Sequence, residues 1–398
     1  MASFGVTYLS KEALRNARRF MHADEAGVRD EVGFLIIHQR YADRFFPGTS
    51  VLHTRLRYVL FVPWIYADAR NSRLRRRDPA DAIARGEHKL TERLLGQDGV
   101  IGGRVFPEPL DQPPSYVYWT ALQAWGLLRQ PDIRGRWSRK RVEKLLGAPP
   151  AAKLTDDDGL PIDQTDWPFA GCPEPSKDWN NGRALSFDLT KPERTYLARQ
   201  LRRVGSPVLS GEPSLLALLV GKPLDLADYA WSPEITDMAQ HEQAALVRAG
   251  QAAALAAIGR AIYAAQVEAL KAELDRHKCS DLQRNGLIGV VANWRAEAEK
   301  LDWASFETDM GKLPPRVSDA LRETLDWVRN GLTDPMVLER AYRSAEEARK
   351  GRRARLSRTL DGRDRRAEWD NEKHGAAEPL HYRWGNVKRL LRDLEGVR

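Results

Sequence analysis

Cysteine is nearly missing: Cys172 and Cys279 are the only two in 398 residues. They allow one disulfide but no disulfide framework, and they are too few for a four-thiolate zinc site. No apolar run approaches the roughly 20 residues that span a bilayer. The alanine-rich stretch 244–265 comes nearest, and Arg248, Gln251 and Arg260 interrupt it. The opening Met1-Ala2-Ser3-Phe4-Gly5 lacks the charged and apolar regions of a secretory signal. The expectation is a cytoplasmic protein that makes no contact with membrane.

The motifs of common chemistries are missing too. Gly221-Lys222 is followed by Pro223, and Gly211 lies too far upstream for a phosphate-cradling P-loop. Gly99, Gly102 and Gly103 lack dinucleotide-binding spacing, and no Gly-x-Ser-x-Gly elbow for a serine nucleophile occurs. His88-Lys89 lacks the residue that separates the two in phospholipase-D-like nucleases. No internal repeat is present, and strand-like alternation is scarce. No cofactor is implied.

What is abundant is positive charge. The net charge is +8 and the isoelectric point about 9.4. The excess is carried by 48 arginines against 15 lysines, and arginine suits bidentate phosphate and carboxylate contacts. A GC-rich genome gives the same ratio, but the net charge still favours acidic partners. The densest cluster is Arg349, Lys350, Arg352, Arg353, Arg355, Arg358, Arg363, Arg365 and Arg366, nine basic residues in eighteen positions against Asp361 and Asp364. Such a run neutralises phosphates without reading bases. The bland alternative is a solvated helix face paired with Glu346 and Glu347, or a salt-bridged domain contact. Smaller clusters lie at Arg70–Arg77 and Arg134–Lys144. Trp137, inside the second, is placed either to stack on a base or in the core. Arg55 and Arg57 follow a Gly-Thr-Ser cap, where a helix N-terminus with arginines holds an anion. Structural ion pairs are the alternative there.

Periodicity is helical almost throughout. Helices are expected over Lys11–Met21, Val28–Phe46, from Leu52 to a kink or end at Pro63, over Pro79–Leu95 with Asp78 as cap, over Tyr116–Leu128, and from Ser138 to Leu146. A short extended segment is expected at Val100–Phe106. Pro, Gly, Asp and Asn crowd 148–186, yet Trp167, Phe169 and Trp179 there point to an ordered excursion. Thr190-Lys191-Pro192-Glu193 spells a capping box for a helix to about Val204. The longest pattern runs from Ser232 to about His277, with Gly250 or Gly259 as points of bending. Asp334-Pro335 opens a long charged helix to about Leu360, and Val387, Leu390, Leu391 and Leu394 stripe the last one. The fold class is mainly α: a multi-helix, two-lobed protein divided into 1–147, an irregular connection 148–188, and 189–398.

Catalytic candidates are sparse. Cys279 lies near His277 and Asp281. Asp156, Asp157, Asp158, Asp163 and Asp166 offer hard oxygen ligands. His374, Glu378 and His381 are near one another, but Pro379 breaks a shared helical face. Asp370, Glu372 and Lys373 have the residue types of a nuclease core without its strands. None of these amounts to a metal site or an assigned catalytic residue.

Three segments carry a family likeness. They are Phe46-Pro47-Gly48-Thr49-Ser50-Val51-Leu52-His53-Thr54-Arg55-Leu56-Arg57-Tyr58, running into Phe61-Val62-Pro63-Trp64-Ile65-Tyr66; Pro114-Ser115-Tyr116-Val117-Tyr118-Trp119, running to Trp125-Gly126; and Leu380-His381-Tyr382-Arg383-Trp384. The pattern resembles a bacterial family of unknown function, domain of unknown function 6361, across nearly the whole chain. The resemblance implies no catalytic residues. It implies a place among the helicases, methyltransferases and phospholipase-D-like nucleases of anti-phage gene clusters. The expected role is therefore a non-enzymatic subunit of a defence assembly. It would bind a DNA or RNA backbone through the basic cluster, together with protein partners from the same gene cluster. The alternatives are a metal-dependent nuclease with a divergent site near Asp370–His381, and a scaffold that docks on an acidic protein.

Overall fold

The computed structural model describes residues 31–71, 78–129, 137–147, 167–169, 171–278, 280–375 and 377–396. The expected helix over Lys11–Met21, the residues Arg73–Arg77, Arg134, Cys279 and the acidic group Asp156, Asp157, Asp158, Asp163 and Asp166 lie outside them.

Helix starts are set by side chains that satisfy the orphan amides of the first turn. Asp78 accepts from the amide of Ala80 at 3.0 Å, with Pro79 in the first helical position. Thr190 and Glu193 form a reciprocal capping box. In chain order the helices are α1 (Leu35–Phe45), α2 (Tyr58–Asn71), α3 (Pro79–Leu94), α4 (Pro114–Ala124), α5 (Arg139–Gly147), α6 (Lys177–Asn180), α7 (Lys191–Arg202), α8 (Leu215–Leu218), α9 (Pro233–Thr236), α10 (Gln243–Glu273), α11 (Leu282–Ala298), α12 (Trp303–Met310), α13 (Pro315–Arg329), α14 (Glu339–Lys350), α15 (Leu360–Ala367) and α16 (Trp384–Glu395). Among the described residues there is no strand, only one isolated bridge between Gly205 and Pro213. The fold is mainly α, as expected.

Four local expectations change. Residues 100–106 form turns, not an extended segment. The helix expected from Leu52 starts at Tyr58, so Leu52 is exposed. Starting there, the helix passes through Pro63, whose missing N–H leaves only the carbonyl of Val59 in the first turn without its bond. The pattern from Ser232 is interrupted: α9 ends at Thr236, Gln240 takes a left-handed φ of 47°, and α10 begins at Gln243. Gly250 and Gly259 both lie inside α10. They admit close neighbours: a methyl at Gly259 would run into the Phe34 ring and sit 2.9 Å from the Tyr342 hydroxyl, and one at Gly250 would meet Trp231. α10 belongs to the one described helical segment long and apolar enough to cross a membrane, and 94% of that apolar window is buried in the fold.

The chain divides into two compact units, 1–37 with 251–380 and 38–250 with 381–398. These cuts fall inside α1 and α10 rather than at 147 and 188. The described part of the expected connection lies within the second unit, where Trp179 packs on Phe61 and Trp64 and its indole N–H donates to Asp68 at 3.0 Å.

In the first unit the core is α10, α13 and α14. Phe34 meets Tyr342 edge-on at 5.9 Å, and the Tyr342 hydroxyl lies 2.7 Å from Thr324 Oγ1. Val317, Leu321, Leu325 and Trp327 line the buried face of α13. The fully buried carboxylate of Glu268 on α10 accepts from the amides of Gln283 and Arg284, capping α11.

In the second unit the motif segments converge on the irregular stretch 46–57. The Trp125 indole donates to the Pro47 carbonyl at 2.9 Å. Tyr118 Oη accepts from the amides of Thr54 and Arg55. Arg383 donates to Asp43 and to the Thr49 carbonyl, and Asn386 donates to the carbonyls of Val51 and His53. To make these contacts Tyr382 and Arg383 adopt left-handed φ values of 47° and 62°, which cost energy in residues with a Cβ.

Candidate nucleic-acid interface

The basic segment is not one helix. α14 stops at Lys350 because Gly351 turns left-handed at φ 55°. A short 3-10 turn follows at Gly351–Arg353, then an extended stretch, then α15, capped by Thr359. The long charged helix expected from Asp334 to Leu360 is thus broken at Gly351. The break sends the nine cations in different directions.

Three of them turn inward. Arg366 is 0% exposed; its Nε and Nη2 grip Asp275 at 2.7 and 2.8 Å, and its Nη1 donates to the carbonyls of Arg355 and Ser357. Arg355 donates to Glu31 at 2.8 Å. Lys350 pairs with Glu31 and lies 3.9 Å from Glu346. Glu346 is itself buried, accepts from Tyr263 Oη and the Leu356 amide, and is pushed up from the usual carboxylate range by burial. The bland alternative named Glu346 and Glu347 as partners. The carboxylates actually used come mainly from elsewhere in the chain: Glu31, Asp275 and Glu339. These interactions bind the segment to its own unit. Arg366, fully buried, is out of reach of a phosphate.

The others face solvent. Arg353 and Arg363 are exposed and have no ion pair among the described residues. The Arg352 side chain is 88% exposed; its link to Asp361 at 2.6 Å holds that carboxyl below its ordinary range. Arg358 is largely exposed, 3.2 Å from Glu339, and Arg365 pairs with Glu368 at 2.8 Å. Arg349 is exposed and lies against Gly33. Exposed pairs of this kind contribute little and exchange readily. The outer face of residues 351–367 therefore offers guanidinium groups that a phosphate can reach.

Arg55 and Arg57 follow the structural alternative. The guanidinium of Arg55 lies 2.8 Å from Asp393 and above the Phe187 ring at 4.8 Å. Asp393 also accepts from the Leu56 amide, taking the place an anion would have had. Arg57, buried, donates to Glu193 at 2.8 Å and to the Ser186 carbonyl. Glu193 uses its other oxygen to close the capping box of α7. Nearby, His53 donates from Nε2 to the Val117 carbonyl at 3.1 Å and stacks on Tyr118 at 4.2 Å. That bond fixes the neutral tautomer. Burial lowers the His53 pKa to about 4.

Among the described residues no three His, Cys, Asp or Glu side chains group as metal ligands would. Asp370 accepts from the amides of Glu372 and Lys373, folding its carboxylate onto its own turn. His374 takes the indole N–H of Trp369 at 3.4 Å. His381 accepts the Arg383 amide and meets His38 edge-on at 4.8 Å.

Residues 7–145 match the model of a family of unknown function, DUF6361. That span holds the first two motif segments, 46–66 and 114–126. No curated protein and no solved structure matches the chain.

Proposed function

We propose that this chain is a binding subunit that grips a nucleic-acid backbone through the outer face of residues 351–367. The observation that carries this is the placement of Arg352, Arg353 and Arg363: exposed, on one short 3-10–loop–helix segment, and bound at most to an exposed carboxylate. Phosphate competes well for such groups, because an exposed pair loses little when it is exchanged. Nothing in the segment presents a side chain to base edges in an ordered array, so the contact is one of charge and position rather than sequence. The role within an anti-phage assembly, with a helicase, methyltransferase or nuclease as partner, rests on the family resemblance alone.

The test is fluorescence anisotropy of a labelled 20-base-pair duplex at low salt, with wild type and with R352E/R353E/R363E. The proposal expects binding by wild type and at least a tenfold loss in the variant, whose folding is checked by its circular dichroism and melting. A wild type that does not bind, or a folded variant that binds as well as wild type, overturns it.

A further inference from the structure

A second cationic surface, in the 38–250 unit, is built differently. Its arginines rest on aromatic rings. Arg141 lies 4.6 Å from the centroid of Trp137, Arg139 lies 5.9 Å from that of Tyr116, and Arg70 lies 4.9 Å from that of Trp167. Arg70 and Arg141 have no ion pair among the described residues, and Lys140 and Lys144 are exposed beside Arg141, whereas Arg139 turns its buried Nε inward, towards Tyr66 and Glu87. The rings of Trp119, Phe169 and Trp167 form one cluster, to which the backbone of Trp137 is tied. The Trp119 indole donates to the Trp137 carbonyl at 2.7 Å, Trp119 meets Phe169 edge-on at 5.9 Å, and Phe169 meets Trp167 at 5.6 Å. Trp119 and Phe169 are buried and act as the base, whereas Trp137 and Trp167 are half-buried and Tyr116 is 47% exposed.

We infer that this patch takes the unpaired bases of a single-stranded nucleic acid. The argument is chemical. A surface meant only to attract phosphate needs cations in solvent, as on residues 351–367. Arginines held over indole and phenol rings offer a charge beside an aromatic surface, and every base has a π-face to lay against such a surface. In a duplex those faces are covered, so the surface discriminates by strandedness. An acidic protein segment would satisfy the cations but would leave the rings without a partner. The inference rests on reading the chain as a nucleic-acid binder, but it places the unpaired strand on a separate surface.

The experiment measures anisotropy of labelled oligothymidylate 20-mer, of an abasic 20-mer with the same phosphates, and of the 20-base-pair duplex. The expected result is that oligothymidylate binds roughly tenfold more tightly than the abasic strand, the scale of one or two stacked bases. Y116A/W137L should abolish that difference and leave duplex binding unchanged, while R352E/R353E/R363E should weaken the duplex and keep the difference. Equal binding of thymidylate and abasic strands by wild type overturns the inference, and it needs no variant to fold. A folded Y116A/W137L that keeps the preference overturns it too. If only the duplex arm fails to respond to R352E/R353E/R363E, the 351–367 reading fails and this one stands.

Discussion

Arg366→Met should unfold the first unit far more readily than any other change in the basic segment. Arg366 is fully buried, its partner Asp275 has a side chain only 2% exposed, and two backbone carbonyls depend on the same guanidinium. Removing one member of a buried pair costs about 3–5 kcal/mol, because the other is left charged in a poor solvent. The orphaned carbonyls of Arg355 and Ser357 add to this, offset where water enters. Taking about 4 kcal/mol, and 2–4 °C of melting temperature for each kcal/mol in a domain of this size, the expected fall is roughly 10 °C. Arg353→Met, on the exposed face, should stay within about 0.5 kcal/mol of wild type. The assay is thermal and urea unfolding followed by circular dichroism. The double variant D275N/R366M should recover part of the loss, since no buried charge then stands alone. A melting temperature for R366M within a degree or two of wild type would refute the inward assignment, as would strict additivity in the double variant.

Two further outcomes follow from packing and titration. Gly259→Ala places a methyl against Phe34 and Tyr342 in a filled core and should cost about 1–3 kcal/mol. Urea unfolding checks this, and an unchanged midpoint would mean that Phe34 moves freely. His53 stays neutral in the fold, with a pKa near 4, while in the unfolded chain it takes a proton below about 6.5. Its contribution is therefore complete above about pH 6.5 and declines as the pH falls toward 4. Between pH 7 and 5 the loss is about 2 kcal/mol. His38, held to about 3 by burial and by the His381 and Arg383 charges, acts in the same direction. His53→Gln keeps a donor for the Val117 carbonyl and should flatten the acid side of the stability curve; a His53 ring titrating near 6.5 by NMR would contradict this.

What the sequence made legible was local. Asp78 followed by Pro79, and the Thr190–Glu193 box, name their own helix starts, because cap and first turn are neighbours in the chain. The aromatic content of 167–179 correctly pointed to packed structure, since exposed indoles are costly. What stayed hidden depended on distant partners. Arg366 and Arg353 look alike in sequence, and only Asp275, 91 positions from Arg366, separates a core residue from a surface one. Glu31 likewise draws in Lys350 and Arg355. The break at Gly351 carried a signal, a glycine after Arg349-Lys350 at a helix end, but charge density masked it. Arg55 and Arg57 read as an anion site with structural pairing as the alternative, and the alternative is what forms, because Asp393 and Glu193, which spacing does not name, take the guanidinium groups. Leu52 followed helical periodicity yet lies in a turn, because the backbone of 46–57 is held by side chains from α4 and from residues 383–393.

The division of the basic segment into an inner and an outer set is most directly tested by the salt dependence of duplex binding. If the five solvent-facing arginines of 351–367, Arg352, Arg353, Arg358, Arg363 and Arg365, reach phosphates, the log–log slope is about −4.5, and affinity falls roughly five-hundredfold from 50 to 200 mM salt. With R352E/R353E/R363E the slope should flatten to about −2. A slope near −8, as nine phosphate contacts would give, would contradict the account, and so would a slope that the triple variant leaves unchanged.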